Sequence, residues 1–211
     1  MENLPGPRKI PKQSRSRALV DAITQSCLRI LDTEPPEALT IERLAEVSGV
    51  AVGSIYQYFS SKDGVIATVY ERILEEEAAT LHVIGESVLS MQVADALRLI
   101  FSNAIRVELR LNRLSKSFHR KYYKQLHLSE YYRKIDARAE PVEVLWIEFI
   151  DYFQKNLSPN DRRVVSSILA RGYRSMIGEL IDVLPDVIES DLFLDNLVLM
   201  ALACLRYQPD S

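Results

Sequence analysis

Apolar residues recur at intervals of three and four along most of the chain, the spacing that gathers them on one side of an α-helix. The period-two alternation of a half-buried strand is hard to find. A first helix over about 13–31 places Leu19, Ala22, Ile23, Ser26, Cys27, Ile30 and Leu31 on one stripe, and Pro35 and Pro36 stop it. Thr40 is a side-chain cap for a second helix whose Ile41, Leu44 and Ala45 share a face, and Gly49 follows its end, where glycine turns left-handed at little cost. A short third helix over 51–58 begins at Ala51, which has no side-chain oxygen, and contains Gly53; each feature costs it about 1 kcal/mol. Packing through Val50, Ile55 and Phe59 must therefore hold it. Ser61 caps a long fourth helix that runs through Ile66, Val69, Tyr70, Ile73 and Leu74, with Asp63 in its first turn and Glu75, Glu76 and Glu77 facing water. Further helices follow at about 91–117, 119–137, 141–156, 160–184 and 187–206, with Pro141, Pro159 and Pro185 marking breaks. The pattern predicts an all-α protein of about nine helices.

Composition sharpens this picture at a few points. A chain of 211 residues, 47% hydrophobic, can bury a sizeable core. Its formal charge of −3 hides a basic start, where Arg8, Lys9, Lys12, Arg15 and Arg17 face only Glu2; such an arm suits phosphate contact, and equally a solvated tail. Cys27 and Cys204 sit in apolar helical patterns far apart, so they read as small hydrophobes, and a reducing cytoplasm fits. No signal core is evident at the N-terminus, and the longest apolar run, Leu197 to Leu205, is far short of the roughly 20 residues a membrane helix needs. A soluble protein is the expectation.

The stretch Thr40 to Lys62 carries the chemistry. A helix, a glycine-containing turn and a second helix form a helix-turn-helix, whose second member can enter the major groove of DNA. With Ile55 and Phe59 turned inward, Val52, Gly53, Ser54, Tyr56, Gln57 and Tyr58 are left toward the outside. Gln57 can donate to and accept from an adenine edge, Ser54 can pair with several partners, and Val52 can meet a thymine methyl. The hydroxyls of Thr40, Tyr56 and Tyr58 and the Lys62 ammonium suit phosphate oxygens, while Gly53 lets the backbone approach the sugar-phosphate wall. Two short helices joined by a glycine also occur in helical proteins that bind no DNA, so spacing alone leaves both readings open.

Thr40-Ile41-x-x-Leu44-Ala45-x-x-Ser48-Gly49-Val50, followed by Gly53-Ser54-Ile55-Tyr56-x-Tyr58-Phe59-x-x-Lys62, resembles the helix-turn-helix signature of TetR-family transcriptional regulators. The resemblance covers about a quarter of the chain. It implies a homodimer with an N-terminal three-helix DNA-binding domain and a C-terminal domain that dimerises and binds a small effector. On that reading residues 1–12 are a basic arm, 13–60 the helix-turn-helix domain and 61–211 the effector-binding and dimerisation domain. The positions matching the family's DNA contacts are Thr40, Val52, Gly53, Ser54, Tyr56, Gln57, Tyr58 and Lys62; Val52 departs from the polar or basic residue often found there. The implied function is a cytoplasmic repressor released from a palindromic operator by a small-molecule effector, with no cofactor and no metal.

The remainder supplies candidate surfaces. Val165, Ile168, Leu169, Gly172, Met176, Leu180 and Leu184 form one stripe, and the last helix is apolar nearly all round. Either the chain's own core covers these helices or two copies pair through them, with Val165, Ile168, Leu169, Gly172, Met176, Leu194, Leu197, Val198 and Ala201 at the interface. Residues 118–153 hold nine of the seventeen aromatics, and Phe101, Tyr122, Tyr123, Trp146 and Phe149 are the candidates for lining the effector pocket that the resemblance implies. From Arg106 to Arg138 ten Lys and Arg face three acids; a solvated face, an anionic effector and an extension of the DNA-facing field all fit. An enzyme fits poorly: there is no nucleophile elbow or phosphate-binding glycine loop, and His82, His119 and His127 are scattered. A helical scaffold with an incidental helix-turn-helix is the remaining rival.

Overall fold

The computed structural model describes Pro5, residues 13–122 and residues 142–206. These residues form helices and no strand, and no helix among them is long and apolar enough to cross a membrane. They divide into two compact units. The first takes residues 1–74 and 111–126, the second 75–110 and 127–211. The division placed at 60/61 on the sequence lies inside the first of these units, one residue before the fourth helix begins.

In the first unit, α1 (Ser14–Thr33) buries Val20, Ile23, Thr24, Ser26, Cys27 and Ile30. Thr24 can be buried because its hydroxyl donates to the Val20 carbonyl, 3.0 Å away, and so brings no unpaired polar group inside. A 3₁₀ turn at Pro36–Ala38 leads to α2 (Ile41–Ser48), where the Thr40 hydroxyl accepts from the Arg43 amide at 3.0 Å. Gly49 closes it with φ +68°, the left-handed conformation expected there. The third helix, α3 (Val52–Tyr58), has no side-chain cap and is anchored by Ile55, with Phe59 just beyond its end; both are fully buried. The Ser61 hydroxyl accepts from Gly64 N and opens α4 (Lys62–Val88). From Val65 to Tyr70 every residue of α4 is buried, which makes this segment the core of the unit. The Tyr70 hydroxyl donates to the Leu111 carbonyl, lies 3.2 Å from that of Ser115, and its ring takes the edge of Phe118 at 4.8 Å.

Cys27 is fully buried, and burial pushes its thiol up to about 12 although the Lys62 charge acts the other way. Neither cysteine is in a disulfide. At ~pH 8 a thiol reagent should therefore label the half-buried Cys204 and leave Cys27 unmodified until the protein is denatured, because only the thiolate attacks. Labelling of both in the native protein, counted by mass, would show that α1 opens far more readily than its packing implies.

The second unit contains the later part of α4, most of α5 (Val93–Leu114), α7 (Val142–Phe153), α8 (Pro159–Ser167), a π-helical segment at Ile168–Gly172, α9 (Tyr173–Leu180), α10 (Pro185–Ile188) and α11 (Asp191–Leu205). Between α5 and α7, the described helix α6 (Lys116–Tyr122) belongs to the first unit. Phe101 and Tyr173 stack at 4.4 Å, Trp146 lies 6.0 Å from Phe101, and Phe149 meets Trp146 edge-on at 5.4 Å. The Tyr173 hydroxyl donates to the Leu197 carbonyl at 3.1 Å, and burial raises its pKa.

Several expected boundaries move, each for a local reason. The span expected over 91–117 ends at Leu114, because the buried Ser115 hydroxyl accepts from Phe118 N and starts a new helix. Ser190 likewise accepts from Phe193 N and splits the span expected over 187–206. The span 160–184 stops at Leu180 and loosens into the π segment midway. Most of the helix expected over 119–137 lies outside the described residues. Glu77 does not face water: it is 3% exposed and accepts from Arg106. Arg106 and Arg110 are accordingly not a bare basic face, since Arg110 also reaches Glu76 and Glu77 at 3.4 and 3.5 Å.

Candidate nucleic-acid interface

The candidate interface is built on a seven-residue helix held down by one side chain of its own, Ile55, and by Phe59 just past its end. Ile55 in α3 and Phe59 after it face inward, which leaves Val52 and Tyr56 36% and 44% exposed, Gly53 and Gln57 exposed, and Ser54 and Tyr58 half-buried. Thr40 and Lys62, at the starts of α2 and α4, are exposed as well. All eight positions singled out on the sequence therefore belong to the first unit and none is buried in it.

Thr40 has a split role. Its oxygen accepts from Arg43 N, so its own proton remains available to a phosphate oxygen beside the positive end of α2. Gly53 is more informative, because a Cβ built on it meets nothing within 4 Å. The fold has room for a side chain there, and the helix would gain from alanine. Packing within the folded chain does not call for glycine at this site.

Sequence reasoning missed the residue that braces this motif. Arg43 donates from Nε and Nη2 to the Glu34 carboxylate, at 3.2 and 2.7 Å, and from Nη1 to Glu46 at 2.7 Å. Glu34 caps the C-terminal end of α1, so the arginine ties α1 to α2 across a nine-residue separation. The hydrogen bond from Arg43 holds the Glu34 carboxyl below its ordinary range. Acidic and basic residues nine apart give no periodic signal, which is why the link was not legible.

Residues 23–69, which take in α1 from Ile23, α2, α3 and the start of α4, match the family described as bacterial regulatory proteins, tetR family. The chain carries a tetR-family domain. No curated protein matches it. Among solved structures it is similar to the fatty acid degradation regulator FadR from Bacillus halodurans, at 16% identity and a TM-score of 0.51, over 93% of this chain and 96% of that one. It is also similar to the TetR family repressor AlkX from Dietzia sp. strain DQ12-45-1b, implicated in biodegradation of n-alkanes, at 16% identity and a TM-score of 0.52, over 91% and 99%. These two likenesses extend the shared helical fold beyond the tetR-family domain to nearly the whole chain. The matched family and both neighbours are regulators, not enzymes.

The other candidate residues are distributed as follows. Phe101, Trp146 and Phe149 meet in the aromatic cluster of the second unit, whereas Tyr122 is packed on Phe118 in the first, at 4.5 Å. Tyr123 lies outside the described residues. Of the nine residues offered for pairing, Val165, Leu169, Leu197, Val198 and Ala201 are buried within the chain's own second unit; Met176 and Leu194 are partly buried, and Ile168 and Gly172 are exposed. The apolar surface those helices do display is Val164 and Ile168 on one and Leu192, Leu199 and Met200 on another, the last three 71%, 62% and 50% exposed. Each set recurs at helical spacing of four or seven to eight residues, one face of a helix.

Proposed function

We propose that the tetR-family domain binds duplex DNA sequence-specifically, with α3 in the major groove, and that the protein acts on transcription as a homodimeric repressor. The observation that carries this reading is the exposed face of α3, with an open glycine among hydroxyl and amide side chains. Gln57, Ser54 and Val52 read base edges; Thr40, Tyr56, Tyr58 and Lys62 hold phosphates; and Gly53 sets how closely α3 approaches. In the dimer, a second copy covers Val164, Ile168, Leu192, Leu199 and Met200, and a two-fold axis sets both recognition helices into successive major grooves, about 34–36 Å apart. Salt titration of binding to a duplex selected from a random pool tests this. Affinity should fall steeply with salt, and Lys62→Ala should lower the slope of log affinity against log salt by roughly one unit. A slope near zero for the unaltered protein excludes phosphate contact.

Release by a small effector bound in the second unit completes the reading. The effector is apolar, because the core there is aromatic and aliphatic while Arg106 and Arg110 are already engaged by glutamates. FadR, a regulator of fatty acid degradation, and AlkX, implicated in biodegradation of n-alkanes, point to the same chemistry.

A further inference from the structure

One charged network in the second unit has no place in the reading so far. Glu77 on α4 is buried, and Arg106 on α5 grips both its oxygens, Nη1 to Oε1 at 2.9 Å and Nη2 to Oε2 at 2.5 Å. Asn103, also buried and one turn earlier on α5, accepts from the same Nη2 at 2.8 Å and so fixes the plane of the guanidinium. Arg110 comes within 3.5 Å of Glu77 and 3.4 Å of Glu76. Burying a carboxylate is costly, and a pair whose arginine stays 51% exposed adds little net stability over apolar packing at the Glu77 position. Burial at this level does not require charge: α4 buries Ile73, Leu74, Ala78, Ile84 and Val88 on either side of it. What a forked, two-oxygen contact adds over apolar packing is direction, because it is satisfied at one separation and one orientation of the two helices.

We propose that Glu77, Arg106 and Asn103 form a pin that fixes the stand of α4 against α5, and that the strength of duplex binding depends on this pin. The second clause rests on the DNA-binding reading above. Its ground is that α4 is one unbroken helix, Lys62–Val88, with the phosphate contact of that reading at its first residue and the pin about four turns further along. Glu77 is a positioning residue in this account and touches no DNA.

The test uses the full chain in a Cys204→Ser background with spin labels at Ala79→Cys on α4 and Ser102→Cys on α5, Cys27 being too buried to react. Arg106→Met alone leaves Glu77 buried without its main partner and can unfold the protein, so the deciding variant is Glu77→Met with Arg106→Met, which puts an apolar side chain of similar length at the buried position and removes the guanidinium. In the parent the labels should give one narrow distance. In the double variant the distribution should broaden or shift while the melting temperature stays close to the parent's, and affinity for the selected duplex should fall about tenfold. An unchanged distance distribution overturns the pin. A changed distribution with unchanged duplex affinity overturns its control of binding. If the unaltered protein binds no duplex, the DNA reading itself has failed and takes that control with it, and the label distances still decide the pin.

Discussion

Gly53→Ala should make the protein more stable and a poorer DNA binder. Alanine is favoured over glycine inside a helix by about 0.5–1 kcal/mol, and at this position its methyl meets no atom of the chain within 4 Å. The folded state therefore gains without strain, and the melting temperature should rise by a few degrees, roughly what such an energy gives in a domain of this size. Against duplex DNA the same methyl lies on the face between Val52 and Tyr56, where α3 must come closest to the sugar-phosphate wall. A loss of about tenfold in affinity, some 1.4 kcal/mol, is the expected cost of holding the helix off. Thermal denaturation and fluorescence anisotropy on one preparation measure both. Opposite signs separate contact from folding, because a residue needed only for the fold would move both quantities together. Equal or tighter binding by the alanine protein would mean that α3 does not approach DNA along this face.

Leu199→Glu combined with Met200→Glu should split the proposed homodimer and lower affinity for the selected duplex by about two orders of magnitude, the avidity that a second linked contact supplies. Both side chains stand at least half exposed on α11, so charging them costs the single chain's core nothing. Their neighbours set the contrast: Leu197 and Ala201, on the buried face of the same helix, belong to the core, and Leu197→Glu should prevent folding. Sedimentation at micromolar concentration, beside far-ultraviolet circular dichroism, distinguishes a folded monomer from an unfolded chain. A double variant that remained dimeric would place the pairing surface elsewhere.

The contrast between those neighbouring residues marks where sequence reading reaches its limit. In α1 to α4 the informative signals are local: Thr40 and Ser61 cap, Gly49 turns left-handed, and Ile55 and Phe59 anchor a helix that propensity alone would not favour. In α11 the signal saturates. When nearly all of Leu197 to Leu205 is apolar, periodicity cannot say which side meets the chain's own core, and Leu197, Val198 and Ala201, read as part of a pairing surface, are buried within the single chain. Glu77 fails for the complementary reason: a glutamate in an acidic run has the sequence profile of a solvated face, and only the arrival of Arg106 from α5 makes its burial tolerable.

The sequence by itself determined the helical class, the order of the helix-turn-helix and the outward set on α3, because caps, turns and the 3.6-residue repeat act over a few neighbouring residues. Tertiary structure alone decided which apolar faces remain open, that Tyr122 and Phe101 lie in different units, and that Arg43, Tyr70 and Arg106 each tie distant segments together. Those outcomes depend on partners separated by 9, 41 and 29 residues, and no local pattern encodes which of several equally polar or apolar candidates will arrive.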